Sequence, residues 1–229
     1  MRNRREFLDE AIALAPAGVI SLLIDGPIAR PGHVESKEPL NEQDISDLVQ
    51  TAVDFRRGVD LLVARKDVDP KRIAYVGHSY NAVVGAILSG VERRFKSFVL
   101  MAATMSDEVT MKTPEYQAYR QKVGPEKIDA FVAKYAWTDQ GKYVSHAAPA
   151  VVFLQYGSQE KFLNAQRAVQ YAAVVSEPKR FKLYDAPHSL NADARRDRIQ
   201  FLIEQLKLKP LSEAQMTSIP SLYQPPEPN

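Results

Sequence analysis

Cysteine is absent from the 229-residue chain, and this absence excludes several kinds of site. A disulfide framework, a thiolate metal site and a cysteine nucleophile would each need a sulfur that the chain does not have. An excess of charge is missing too, because the formal net charge is only +2. The composition therefore gives no reason to expect a nucleic acid or an anionic membrane surface as a partner.

Long apolar runs are also absent, since no stretch approaches the roughly 20 residues that span a bilayer. The basic letters MRNRR, followed by apolar AIALAPAGVISLLI, superficially resemble a signal peptide. Glu6, Asp9 and Glu10 interrupt that pattern, and a strand before the turn letters DGP explains the apolar part better. We therefore expect a soluble protein and favour the cytoplasm, while the sequence leaves the oligomeric state open.

Two kinds of apolar pattern alternate along the chain. Short β-rich runs bounded by turn residues indicate buried strands, and longer stretches with apolar residues three or four apart indicate helices. Such alternation predicts βαβ units with right-handed crossovers, so the predicted fold class is α/β, with helices flanking a mostly parallel sheet. The predicted strands lie at 19–24, 73–76, 98–102, 150–156 and 180–184.

Two segments depart from this alternation. Residues 104–148 lie between two predicted strands and are too long for a plain connection. Their helical pattern and their aromatic side chains fit a small insertion with its own core or a substrate lid, and the two interpretations are compatible. After Leu208 the chain becomes polar and proline-rich, which predicts a flexible tail over 208–229.

The stretch IAYVGHSYNAVVGA places Ser79 between a predicted strand and the helix after it. In a parallel sheet ligands gather at such points, and a serine on this sharp turn exposes its hydroxyl. The backbone N–H of Tyr80 would be one oxyanion donor, because a helix N-terminus favours negative charge. Gly77 suits the close approach of backbones, whereas Asn81 stands where G-x-S-x-G has its second glycine. Serine and glycine are common in such turns, so the pentapeptide alone also fits a structural serine.

A serine nucleophile needs a base, and the chain has only four histidines. His188 directly follows the last predicted strand, so its loop can reach over the sheet towards Ser79. His78 adjoins the serine and would point away from it. His33 lies in a proline-containing loop where we expect an exposed side chain, and His146 ends the insertion.

The base in turn needs an orienting acid. Glu160 is the only carboxylate just after the strand AVVFLQYG, while Asp185 lies too near His188 along the chain to face it. The order Ser79, Glu160, His188, each after its own strand, is the order of the α/β-hydrolases.

From about residue 1 to residue 207 the chain resembles the α/β-hydrolase superfamily, in its dienelactone-hydrolase and prolyl-oligopeptidase-like branch. The resemblance lies in RREFLDEA, VISLLIDGP, DVDPKRIAYVGHSY, AAPAVVFLQYGSQE and YDAPHSLNADARRDRIQFL. It implies one hydrolase domain over 1–207, with Ser79 as nucleophile, His188 as base, Glu160 as acid and the Tyr80 N–H as an oxyanion donor. Asn81 for glycine and Glu160 where aspartate is usual depart from the family pattern.

Family members also have strands before the RREFLDEA-like helix, and the last of these ends in a His-Gly-type loop that supplies a second oxyanion donor. The resemblance therefore predicts a sheet that lacks its first strands, in an N-terminally incomplete chain. The missing strand would lie between 19–24 and 73–76, which would then pair directly or leave a gap. One lost oxyanion donor costs about 3 kcal/mol of transition-state stabilisation.

The sequence thus predicts a serine hydrolase that cleaves a carboxylic ester of a small molecule through an acyl-enzyme. It implies no cofactor or metal, since the histidines lack paired ligand spacing and there is no Gly-rich phosphate loop. Neither nucleic acid nor membrane is an expected partner. Two alternatives stay open: a catalytically impaired or truncated hydrolase-like domain, and a serine peptidase or thioesterase on the same scaffold.

Overall fold

The sheet has four parallel strands. The computed structural model describes residues 4–34, 36, 40–104, 107–160 and 163–219. Within these ranges the strands pair in chain order, each with the next: β1 Ile73–His78, β2 Phe95–Met101, β3 Val151–Gly157 and β4 Lys179–Tyr184. Parallel neighbours need long crossover connections, and here these contain helices. The predicted α/β class, the parallel sheet and the flanking helices are confirmed.

Helices occupy most of the remaining described chain. They are α1 Leu8–Leu14, α2 Glu42–Val63, α3 Tyr80–Val91, α4 Asp107–Met111, α5 Gln117–Val123, α6 Pro125–Lys134, α7 Gln140–Val144, α8 Ala165–Val174, α9 Ala192–Leu206 and α10 Glu213–Thr217. Asparagine side chains cap α2, α8 and α9, where Asn41, Asn164 and Asn191 each accept a backbone N–H three residues on, at 3.0 Å. No helix in these ranges is both long and apolar enough to cross a bilayer.

The core lies on both faces of the sheet, because side chains alternate along each strand. In β2, Phe98 and Leu100 belong to the apolar cluster that also contains residues of α2, α3 and α8. Val99 and Met101 belong to the cluster formed with α1 and α9. The carboxyl ends of the strands, where ligands bind in such sheets, therefore lie between two packed layers.

The predicted strand at 19–24 is wrong, because this segment pairs with no strand among the described residues. A cavity of about 240 Å³ is lined by residues 18–24, by Ile73 to Val76 of β1 and by side chains of α1, α2 and α9. On its other side the segment packs on α2, where a Cβ added at Gly58 would meet Leu22 and Ile24 at 2.9 Å. A strand needs a hydrogen-bonded neighbour, and the cavity lies where that neighbour would be. The resemblance predicts that 19–24 and 73–76 pair directly or leave a gap, and the structure has the gap.

The insertion between β2 and β3 is helical, as predicted, and contains α4 to α7. Its last part belongs to the body of the fold: Val144 and Ala147 are buried in the core, and a Cβ at Gly90 of α3 would meet the backbone of Tyr143 at 2.7 Å. Its middle part contacts α2, where Lys134 Nζ lies 2.5 Å from a carboxylate oxygen of Glu42. The insertion is thus anchored to the body at its end and through α6.

The prediction that residues from 208 onward lack fixed structure does not hold for Leu208 to Ile219. Helix α10 begins with a capping box formed by Ser212 and Gln215. Leu208, Met216 and Ile219 pack on the cluster around α9, and this apolar contact orders the segment. Residues 220–229 lie outside the described residues.

A buried ion pair joins α1 to α9. Arg198 Nε lies 3.0 Å from Glu10 Oε2, and Arg198 Nη2 contacts Glu10 Oε1. The two side chains are only 1% and 7% exposed. Removing one partner leaves the other charge buried without compensation, which destabilises a fold strongly.

We predict that Glu10→Ala lowers the free energy of unfolding by about 3–5 kcal/mol, because Arg198 loses its counter-charge in the interior. The matched control is Glu213→Ala. It removes the ion-pair partner of Arg196, which lies on the exposed side of α9, and it should change stability little. Urea unfolding of the two variants measures both values. Equal losses would show that the buried pair contributes no more than the exposed one.

Candidate active site

Ser79 lies between His78, the last residue of β1, and Tyr80, the first residue of α3. Its φ and ψ of 55° and −118° are rare for a residue with a Cβ. The Ser79 N–H donates to the carbonyl of Met101 at the end of β2 (2.8 Å), and the Ser79 carbonyl accepts the N–H of Ala82 (2.9 Å). Backbone hydrogen bonds therefore hold the serine on a sharp strand-to-helix turn.

Glycine at position 77 is required by space. A Cβ there would meet the carbonyl oxygen of Asn81 at 2.5 Å and a ring carbon of Tyr75 at 2.7 Å. Asn81 itself lies inside α3, and its carbonyl accepts a hydrogen bond from the Tyr75 hydroxyl at 2.7 Å. A helical backbone suits any residue with a side chain, so asparagine in place of the second glycine carries no conformational cost here.

His188 and Glu160 meet at the carboxyl ends of β4 and β3. The distance from His188 Nδ1 to Glu160 Oε2 is 2.5 Å, and the Glu160 side chain is 1% exposed against 28% for His188. A hydrogen bond from Nδ1–H to a carboxylate fixes the tautomer whose Nε2 is the basic nitrogen. The pair can therefore accept a proton at Nε2 and stabilise the resulting imidazolium.

Asp185, the competing acid, has different partners. Its carboxylate accepts hydrogen bonds from Gln159 Nε2 (2.9 Å) and Ser158 Oγ (3.3 Å).

Gly157, at the end of β3, allows the His188 loop to approach closely. A Cβ at Gly157 would meet the carbonyl oxygens of Ala186 and Pro187 at 2.2 and 2.5 Å. The loop that carries His188 thus packs directly against the end of β3.

Ser79 and His188 are not hydrogen-bonded to each other: within the described part of the chain, Ser79 Oγ donates no hydrogen bond to the imidazole. Catalytic hydrogen bonds of unliganded enzymes are often long and tighten only when substrate binds. The structure therefore brings the predicted base and acid together, while the transfer of a proton from Ser79 to His188 stays a prediction. The role of the Tyr80 N–H, at the first position of α3, also stays a prediction.

Of the other histidines, His33 differs from expectation and His146 lies where the sequence indicates. His33 is not exposed, since its Nε2 lies 2.8 Å from Asp47 Oδ2 and both side chains are 12% exposed. This carboxylate on α2 draws the ring out of solvent. His146 is exposed at the end of the insertion, and its carbonyl accepts a hydrogen bond from Arg93.

His78 lies beside the candidate base, a position that the sequence does not predict. Its ring lies beside that of His188, with centroids 4.7 Å apart. Its Nδ1 lies 2.7 Å from Glu6 Oε1, and its Nε2 lies 2.9 Å from the carbonyl oxygen of His188. These partners are 72 and 110 residues away along the chain, so no local pattern signals them.

The chain resembles known proteins in three-dimensional structure but not in sequence. No protein-family model matches the chain, and no curated protein matches it. The acetyl xylan esterase from Paenibacillus sp. R4 superposes with a TM-score of 0.73 at 17% identity, over 89% of this chain and 71% of that one. The α/β hydrolase GrgF from a Penicillium species has a TM-score of 0.54 at 12% identity, over 70% and 73% of the two chains. The chain has the α/β-hydrolase fold.

A second acetyl xylan esterase, from a Thermoanaerobacterium species, has a TM-score of 0.59 at 18% identity. The alignment covers 77% of this chain and 61% of that chain, which is less than two thirds of its length. In the α/β-hydrolase fold as it occurs here, Ser79 follows β1, Glu160 follows β3 and His188 follows β4.

We predict that Gly77→Ala lowers the free energy of unfolding by about 1–3 kcal/mol, because the new methyl group would overlap the backbone of α3. Gly26→Ala is the control, since its φ is −66° and a Cβ there would meet Thr51 at an ordinary 3.4 Å. Chemical denaturation of both variants checks the difference. A Gly77→Ala variant as stable as the control would show that α3 moves away from β1 without cost.

Proposed function

We propose that the protein is a serine hydrolase that cleaves a carboxylic ester of a small molecule through an acyl-enzyme. The observation that carries the proposal is the hydrogen-bonded pair of His188 and the buried Glu160, formed at the same end of the sheet as the strained turn of Ser79. A carboxylate-oriented imidazole activates a serine hydroxyl, and a strained strand-to-helix turn exposes that hydroxyl.

In the proposed reaction His188 Nε2 takes the proton of Ser79 Oγ while the oxygen attacks the ester carbonyl carbon. Glu160 keeps the imidazole in the required tautomer and stabilises its positive charge. The Tyr80 N–H donates to the oxyanion of the tetrahedral intermediate. The alcohol leaves with the proton from His188, and water then releases the acyl group by the same steps in reverse order.

The burial of Glu160 supports its assignment as the acid. An ionised carboxylate with a side chain 1% exposed is costly unless a partner compensates it, and His188 is that partner. When His188 becomes charged during the reaction, the low dielectric around Glu160 makes the attraction between them stronger than it would be in water. The arrangement therefore favours the step that creates the imidazolium.

Neighbouring structures that are esterases support ester hydrolysis as the proposed reaction. Two of them are acetyl xylan esterases, and that activity is a property of those proteins. Their identities of 17% and 18% leave the substrate of this chain to be found by experiment.

We expect a fluorophosphonate to form one covalent adduct on Ser79, detected by intact mass and peptide mapping, and absent in Ser79→Ala. Glu160→Gln should lower kcat for a p-nitrophenyl ester on the order of 10⁴-fold, because an amide favours the wrong imidazole tautomer. Asp185→Asn is the control: it keeps an acceptor for Gln159 and should retain most of the activity. Equal losses in the two variants would contradict the assignment of Glu160.

The peptidase alternative is tested with a matched substrate pair. We expect hydrolysis of a p-nitrophenyl ester and little hydrolysis of an aminoacyl-p-nitroanilide, because the sequence shows no acidic group set to hold a substrate amine. Faster release from the anilide would assign the protein to the peptidases. A folded sample without adduct or turnover would favour the impaired hydrolase-like domain.

A further inference from the structure

His78 is held between two hydrogen-bond acceptors. One side of its ring faces the carboxylate of Glu6 at 2.7 Å, and the other faces the main-chain oxygen of His188 at 2.9 Å. The His78 and Glu6 side chains are only 10% and 14% exposed. Water therefore contributes little to these two contacts.

The protons on the ring follow from the chemistry of the partners. A carbonyl oxygen only accepts, so Nε2 must carry a proton to bond with the His188 backbone. The 2.7 Å contact of Nδ1 with Glu6 Oε1 holds the ring from its other side, so that Nε2 points at the His188 carbonyl.

We propose that His78 is a positioning residue for the base: its Nε2–H holds the backbone of His188 at a fixed distance from the Ser79 turn. The inference rests on the proposed function, in which His188 is the base. His78 is the chain neighbour of Ser79, and its own backbone pairs with Met101 in the sheet. A single hydrogen bond therefore connects the backbone of the base to the residue beside the nucleophile.

Two further contacts of the His188 loop go to a different strand. The Gln159 N–H donates to the Ala186 carbonyl at 3.1 Å, and Glu160 holds the imidazole, so both fix the loop relative to β3. Neither of these two contacts sets the separation of His188 from β1, which leads to the serine. The hydrogen bond from His78 links His188 to β1, and the adjacent rings of the two histidines lie 4.7 Å apart.

Two substitutions separate positioning from simple anchoring. In His78→Gln the amide nitrogen reaches the place of Nε2 and retains a donor for the His188 carbonyl. In His78→Asn the amide reaches the place of Nδ1, so the contact with Glu6 is retained and that with His188 is lost. We expect His78→Asn to lower kcat about 10- to 100-fold, since displacements of about 1 Å cost this much, with KM nearly unchanged. We expect His78→Gln to restore kcat to within about threefold of the parent protein.

A second measurement does not depend on activity. The short His188–Glu160 hydrogen bond should give a strongly downfield proton resonance, assigned by its loss in Glu160→Gln. We expect this resonance to shift or disappear in His78→Asn and to persist in His78→Gln. If Ser79 of the parent protein takes no fluorophosphonate but the resonance responds in this way, positioning stands and the proposed hydrolase activity fails.

The opposite pattern overturns the inference. A His78→Asn variant with normal kcat and resonance, or a His78→Gln variant as impaired as His78→Asn, would assign His78 to anchoring the segment of Glu6. If His78→Asn does not fold, Glu6→Ala replaces it, because it removes the side chain that orients the His78 ring through Nδ1. Glu6→Ala should then lower kcat with little change in KM, and an unchanged kcat would contradict the positioning role.

Discussion

The packing of α3 on β1 around Tyr75 is the constraint on which the rest of the structure depends. The Tyr75 side chain is buried, and a Cβ at Gly77 or Gly85 would meet its ring at 2.7 or 2.4 Å. Its hydroxyl donates to the carbonyl of Asn81, and burial raises the pKa of Tyr75 well above its ordinary value, so the hydroxyl keeps its proton. One aromatic side chain thus sets the spacing between the strand and the helix that Ser79 joins.

Polar contacts then connect the loops at the end of the sheet. Glu6 contacts the ring of His78, His78 contacts the backbone of His188, and the imidazole of His188 contacts Glu160. The series runs from the segment before α1 to the end of β3. Because these groups are largely shielded from water, each hydrogen bond is strong when made and costly when broken. Local order at the candidate site therefore depends on segments far apart in sequence.

Sequence patterns predicted the features that depend on local order, including β1 to β4 and the approach of Glu160 to His188 from consecutive strand ends. The segment at 19–24 has the composition of a strand. Composition indicates which side chains are buried, but a strand also needs a neighbouring backbone to pair with. The ordered conformation of Leu208 to Ile219 is not predicted, because the apolar surface of α9 on which the segment packs is formed only by folding. The contact of His78 with His188 joins residues 110 positions apart, and no periodicity encodes it.

Ser79 follows an edge strand, and this limits the contacts that restrain its turn. β1 and β4 are the two edge strands of the sheet that the described residues form, and β1 lines the cavity of about 240 Å³ on the side away from β2. Close packing restrains an interior segment from every side, whereas a segment beside a cavity lacks packing atoms there. Displacement of the strand that leads into Ser79 is therefore opposed mainly from the side of β2, through hydrogen bonds such as the one from the Ser79 N–H to Met101.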